Sequence, residues 1–215
     1  MPLGADDMLD YAQALAFAGN SLLTPMNQTE TVGLHPEFWD SFPDFDDDAV
    51  RAAVASLRLF AEAAQKRSEE GADLVTEVSV EFTRLFVGPP KPAAAPWETF
   101  YGAPDGSSVD VGFGQATVQM QHLLQQAGLR MSNDNNQYAD HMGIELLYAS
   151  ELARRMADGE DGAADGGSAR DALAAFASEH PLAWIDKFIA AIDEAAPNGY
   201  FAGMVALAKA LLELA

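Results

Sequence analysis

Asp46-Asp47-Asp48, followed by Ala49-Val50-Arg51-Ala52-Ala53-Val54-Ala55-Ser56-Leu57-Arg58-Leu59-Phe60, is the stretch from which the fold class can be read. Carboxylates are stabilised at a helix N-terminus, where the macrodipole presents its positive end. Behind them Val50, Val54, Leu57 and Phe60 recur at three- and four-residue spacing, the period of a helix with one face turned to a core. Gly71 ends this element. Ala72–Val87 reads as the next helix, with Leu74, Val78, Phe82, Leu85 and Phe86 as its apolar positions.

Working outward, the same period recurs on both sides. Upstream, Asp6 and Asp7 open a helix carrying Met8, Leu9, Ala12, Leu15 and Ala16, which fades near Gly19–Pro25. Pro36-Glu37-Phe38-Trp39 starts a further turn, since proline suits a first helical position. Downstream, Gly88–Pro104 holds Pro89, Pro90, Pro92, Pro96 and Pro104, and is read as an irregular loop closed by Trp97-Glu98-Thr99-Phe100-Tyr101. Helices are expected over Gln115–Ala127, Tyr138–Met156, Arg170–Ser178, Leu182–Ala195 and Tyr200–Leu214. Ser132–Asn136 is a polar cap region, and the glycine-rich, acidic Asp158–Ser168 is a loop. No strand alternation and no internal repeat appear. The expectation is an all-α protein: residues 1–215 as one globular domain of roughly eight helices or more, with a Pro-rich loop.

Composition narrows the function classes. The 215 residues contain 33 acids, 12 bases and no cysteine, for a net charge of −21. Zinc ribbons, thiolate nucleophiles and Cys-ligated clusters are excluded. A field of this sign repels phosphate backbones and steers basic partners, so no nucleic acid is expected. Met1–Val50 has 10 acids and no Lys or Arg, unlike the basic start of a secretory signal. No stretch approaches the roughly 18 apolar residues of a membrane span. A cytoplasmic protein without stable membrane insertion is expected.

The common enzymatic motifs are missing: no phosphate-binding loop, no dinucleotide fingerprint and no H-E-x-x-H. Asp134, Asn136, Asp140 and Glu145 fall at positions of a calcium loop, but Ala139 stands where that loop's sharp turn needs glycine, so no metal is assigned. Asp140-His141 is a candidate acid–base pair. Neighbours on a helix diverge by about 100°, whereas His141 and Glu145, one turn apart, can interact. The same residues would also serve to start a helix and anchor a loop. In Glu81–Tyr101 a helix end, prolines, aromatics and Glu98 come together. Phe86 and Trp97 would pin the loop to the core, or else the segment forms an apolar groove with an acidic rim, suited to a peptide.

Two segments resemble a known family. Glu81-Phe82-Thr83-Arg84-Leu85-Phe86-Val87-Gly88-Pro89 with Pro96-Trp97-Glu98-Thr99-Phe100-Tyr101, and the later pair Asp140-His141, are similar to the signatures of the TorD/DmsD chaperones of molybdenum oxidoreductases, related to the nitrate reductase assembly chaperones. His180, Trp184, Phe188 and Tyr200-Phe201 fit the same pattern. Many members carry Glu-Pro just before the Asp-His pair, where this chain has Gln137-Tyr138. The resemblance implies a helical, non-enzymatic chaperone that holds the twin-arginine leader of an apo-oxidoreductase until its molybdopterin is loaded, as monomer or dimer, with no cofactor of its own. It implies a leader site of Leu85, Phe86, Pro89, Pro96, Trp97, Glu98, Tyr101, Asp140 and His141. Glu98 and Asp140 would meet arginine, and His141 would fix the helix start. Two other classes stay open on the residues alone: a helical enzyme using Asp140, His141 and Glu145, and a plain acidic interaction domain.

Overall fold

The computed structural model describes residues 3, 5–102, 112–131, 137–159 and 168–215, and all regular structure among them is helical. The helices are α1 (Ala5–Leu23), α2 (Pro36–Asp40), α3 (Asp48–Glu69), α4 (Leu74–Phe82), α5 (Glu98–Gly102), α6 (Gln115–Gln126), α7 (Met142–Ala157), α8 (Ala169–Glu179), α9 (Pro181–Ala195) and α10 (Tyr200–Leu212). Short 3-10 turns at Met26–Gln28 and Val32–Leu34 link α1 to α2. The all-α expectation holds. Asp134 and Asn136 of the calcium pattern, and 160–167 of the acidic loop, lie outside the described residues.

Local chemistry explains the boundaries. Of the acidic triplet, Asp47 is the cap: its carboxylate accepts from Ala49 N (2.8 Å) and Val50 N (3.0 Å), two donors the helix cannot satisfy internally. Asp73 caps α4 through Thr76 N, and Ser168 caps α8 through Asp171 N. Two departures from the sequence reading bear on the site, beside the π turn that replaces the last residues of the helix expected over Ala72–Val87. α7 begins at Met142 rather than Tyr138, because His141 is its cap and the residues before it pair elsewhere. Glu98–Gly102, expected within an irregular loop, forms α5.

The core is organised around α10, whose Tyr200, Phe201, Met204, Val205, Leu207, Ala208, Leu211 and Leu212 are all buried. A helix apolar on so many sides belongs at the centre of a protein, and α1, α3, α4 and α9 surround it. Tyr11 of α1 donates to the carbonyl of Leu211 (2.9 Å), and Glu81 of α4 accepts from Phe201 N (3.1 Å), capping α10 from outside. α1 and α7 form the most extensive helix pair. They run antiparallel, as Ser150 reaches the carbonyl of Ala12 while Gly143 sits against Gly19. That crossing needs glycine on both sides: a Cβ on Gly143 would lie 2.6 Å from the Gly19 oxygen, and one on Gly19 would lie 2.8 Å from the Gly143 oxygen.

Candidate functional site

The two signature segments, far apart in sequence, are joined by backbone. α4 widens into a π turn over Thr83–Val87, closed by Gly88 N donating to Thr83 O (2.8 Å). Gly88 has φ +91°, and a Cβ there would meet the Lys91 carbonyl carbon at 2.5 Å, so the reversal requires glycine. The Pro-rich loop folds back over this end. Ala93 N and Ala94 N donate to the Arg84 and Leu85 carbonyls (3.2 and 2.8 Å), using acceptors the helix terminus leaves open.

Ala94, Ala95 and Pro96 are buried, and the chain then pairs with the segment before α7. Met142 N donates to Pro96 O and Glu98 N to Asp140 O, both at 2.9 Å, forming an antiparallel bridge between Trp97 and His141. Proline fits here because only its carbonyl is required.

Asp140 organises this clip. One carboxylate oxygen accepts from Thr99 N (3.0 Å), capping α5 across the chain; the other accepts from the Thr117 hydroxyl (2.8 Å) in the first turn of α6. Asp140 is 0% exposed, and these donors compensate its burial. His141, 1% exposed, caps α7 by accepting from Gly143 N on Nδ1 (3.0 Å). Nδ1 must therefore carry no proton, and burial pushes the imidazole down to about 3, the same neutral state.

A second layer lies behind. Glu98 Oε2 is 2.9 Å from His180 Nδ1, and His180, stacked on Phe176, joins α8 to α9. Glu145 is 0% exposed and accepts from Trp184 Nε1 (3.1 Å). Burial, then the neighbouring Glu98 and Asp140 carboxylates, hold its carboxyl well above the usual range. Tyr101 stacks on Trp184 at 5.2 Å, and Lys187 donates to the Tyr101 carbonyl (2.9 Å). Among the described residues, the buried side-chain polar atoms without a partner are Trp97 Nε1, Tyr101 OH and Glu145 Oε1, and all three belong to this site.

Its rim is aromatic and open. Tyr138 sits 6.2 Å from the Trp97 ring. Gly112 packs on Tyr138 and Gly114 on Thr99, with Phe113 between them 85% exposed. Phe100 and Val118 are exposed as well.

Of the residues named from sequence, Pro96, Trp97, Glu98, Tyr101, Asp140 and His141 come together. Leu85 and Phe86 do not open onto this surface. They are 0% and 2% exposed, and Phe86 packs on Phe82, Phe188 and Phe201. Pro89 is exposed on a separate recess with Arg84 and Lys91. Asp140 is committed internally rather than turned outward, and Glu145 engages Trp184 instead of His141. Sequence reasoning passed over Thr99, Thr117, Tyr138 and Phe113 as site residues. Their only signal was position, beside the signatures or in the first turn of α6. A recess of about 700 Å³ between the end of α1, α6 and α7 is lined by Leu23, Leu124, Met131 and Ile144 and shares no residue with the clip. No group of three or more metal-binding side chains occurs among the described residues, nor a helix long and apolar enough to cross a membrane.

Comparison with known proteins agrees with the signatures. A family model described as nitrate reductase delta subunit matches residues 44–190. The chaperone protein TorD of Vibrio cholerae (El Tor Inaba N16961) is 26% identical over 152 residues, covering 70% of this chain and 66% of that protein. TorD of Shewanella sp. MR-4 is 24% identical over 144 residues, covering 66% and 62%. The chain thus spans just under two thirds of these relatives' length. A crystal structure of a candidate redox enzyme maturation protein from Archaeoglobus fulgidus aligns over 94% of this chain and 93% of that one, with 18% identity and a TM-score of 0.47. With well over half its length matched by one family model, and with both signatures meeting in one clip, the chain belongs to the nitrate reductase delta subunit family.

Proposed function

We propose that this protein is a cytoplasmic chaperone that holds the twin-arginine leader of a molybdopterin-containing oxidoreductase, assisting cofactor loading and delaying export. The observation carrying this reading is the Glu98 carboxylate, its side chain 15% exposed, in a site whose rim presents the exposed rings of Phe100, Phe113 and Tyr138. A leader of this class has a basic segment followed by an apolar one. A carboxylate suits the guanidinium, which bonds it in a planar, two-pronged geometry. The aromatic rim suits the apolar segment, and the −21 charge steers the basic end inward. In this reading Trp97, Tyr101 and Glu98 touch the peptide. Asp140 and His141 act as positioning residues, because each is buried and bonded within the clip. Leu85, Phe86 and Pro96 support the surface from below.

Trp97 is the residue to test, since its ring lies between rim and clip and its indole N–H has no partner. Trp97→Ala is expected to weaken leader binding by at least tenfold, about 1.4 kcal/mol, with the melting curve little changed. Calorimetric titration with leader peptides of the host's molybdopterin oxidoreductases measures this. An unchanged affinity together with an unchanged melting curve removes Trp97 from the site.

A further inference from the structure

His180 and Trp184, four residues apart at the start of α9, bond Glu98 and Glu145 respectively, which gathers the two carboxyl groups at one end of that helix, and Glu145 is 0% exposed. A buried carboxyl with no cation bonded to it keeps a proton that an exposed one would lose. Glu145 is the more buried and keeps it. Its Oε2 already accepts from Trp184, so the proton sits on Oε1, the oxygen without a partner. Glu98 faces His180.

We propose that binding of a leader guanidinium at Glu98 expels the proton from Glu145 Oε1, so that leader capture is coupled to proton release. The inference rests on the leader reading above. In balance, the guanidinium brings one positive charge to the carboxyl pair, Glu145 ionises, and its proton passes to solvent; no other bond changes. The cation stabilises the second carboxylate that the empty site cannot tolerate. Two further groups bear on the pair: Asp140, held by Thr99 and Thr117, and His180. Beyond them stand neutral His141 beside Asp140, Tyr101 stacked on Trp184, and Lys187 on the Tyr101 carbonyl. Both Asp140 and Glu98 oppose a charge on Glu145, which is why an added cation has leverage.

The test uses the full chain and twin-arginine leader peptides of the host's molybdopterin oxidoreductases, titrated calorimetrically in phosphate and in Tris, whose ionisation heats differ. Release approaching one proton per peptide is expected, with the dissociation constant falling by up to about tenfold per pH unit. Glu145→Gln keeps the Trp184 acceptor and replaces the acid by an amide that does not titrate. It should bind with no buffer-dependent heat and with an affinity flat across pH. Release that persists in Glu145→Gln, or binding with no release in the natural chain, overturns the coupling while leaving the leader reading intact. Absence of any binding overturns both. Independently of peptide, infrared spectra should show a protonated carboxylic acid in the natural chain that disappears in Glu145→Gln. Its absence from the natural chain overturns the inference alone.

Discussion

α10 turns Phe201, Met204, Val205, Ala208 and Leu211 into the core with no buried carboxyl or imidazole along its length, whereas α7 opens on Asp140, His141 and Glu145, all buried in quick succession. One helix is held mainly by shape, which is indifferent to pH, with the Glu81 carboxylate at its N-terminus as a titratable support. The other is held by hydrogen bonds whose donors and acceptors depend on protonation. The difference teaches where this molecule carries order for its own sake and where it holds groups in a prescribed chemical state.

The comparison breaks if the two helices respond alike. Phe201→Ala should have the largest effect, about 3–5 kcal/mol, because Phe201 packs on Phe82, Phe86 and Tyr200 with 1% exposure. Denaturant melts should show the same loss at pH 5 and at pH 8. A strongly pH-dependent loss would mean that α10 is not held by packing alone.

Next comes acid. Burial depresses the folded-state pKa of His141 to about 3, below its unfolded value, so the unfolded chain takes up the proton first. The stabilising contribution is therefore complete above about pH 6.5 and drains away as pH falls toward 3, by about 3 kcal/mol at pH 4. Glu145 acts with the opposite sign: its raised pKa favours the folded state at low pH, and that contribution is lost as pH rises. Subtracting one pH–stability curve from another separates them. His141→Asn, which keeps a capping side chain, should lose the acid component. Superimposable curves would remove His141 from the account.

Gly143→Ala sharpens the contrast from the α7 side. Its Cβ would press on the Gly19 oxygen and on Leu23, at a cost of about 1–3 kcal/mol and no pH dependence. A variant melting at the natural temperature would show that α1 and α7 can part without loss.

Much of the fold was legible because α3 and α4 carry their own instructions: Asp47 and Asp73 at the caps, and apolar residues at helical spacing behind them. Where instructions are non-local, the reading failed. α5 is a five-residue helix with no buried residue of its own, capped by Asp140 from 41 residues beyond Thr99. Nothing within Glu98–Gly102 announces that. α7 starts late because Trp97 pairs with His141, which periodicity cannot register. The site divides in the same way. Trp97, Glu98, Tyr101, Asp140 and His141 stood out from the residues as two separate segments, the resemblance joined them into one site, and the clip brings them together. Leu85 and Phe86 lie at core positions of the α4 stripe and its π-turn continuation, so periodicity placed them inside even as the resemblance suggested a surface. Phe113 has no local signal: what exposes it is the packing of two glycines against Tyr138 and Thr99.

The trans-capped α5 has a consequence for the order of events during synthesis. Its cap comes from Asp140, its carboxylate partner from His180, and the indole behind Tyr101 from Trp184. A nascent chain that has exposed only the Pro-rich segment therefore has prolines and aromatics but no assembled clip. The last of these parts emerges with α9, so translation itself sets the moment at which the site is complete.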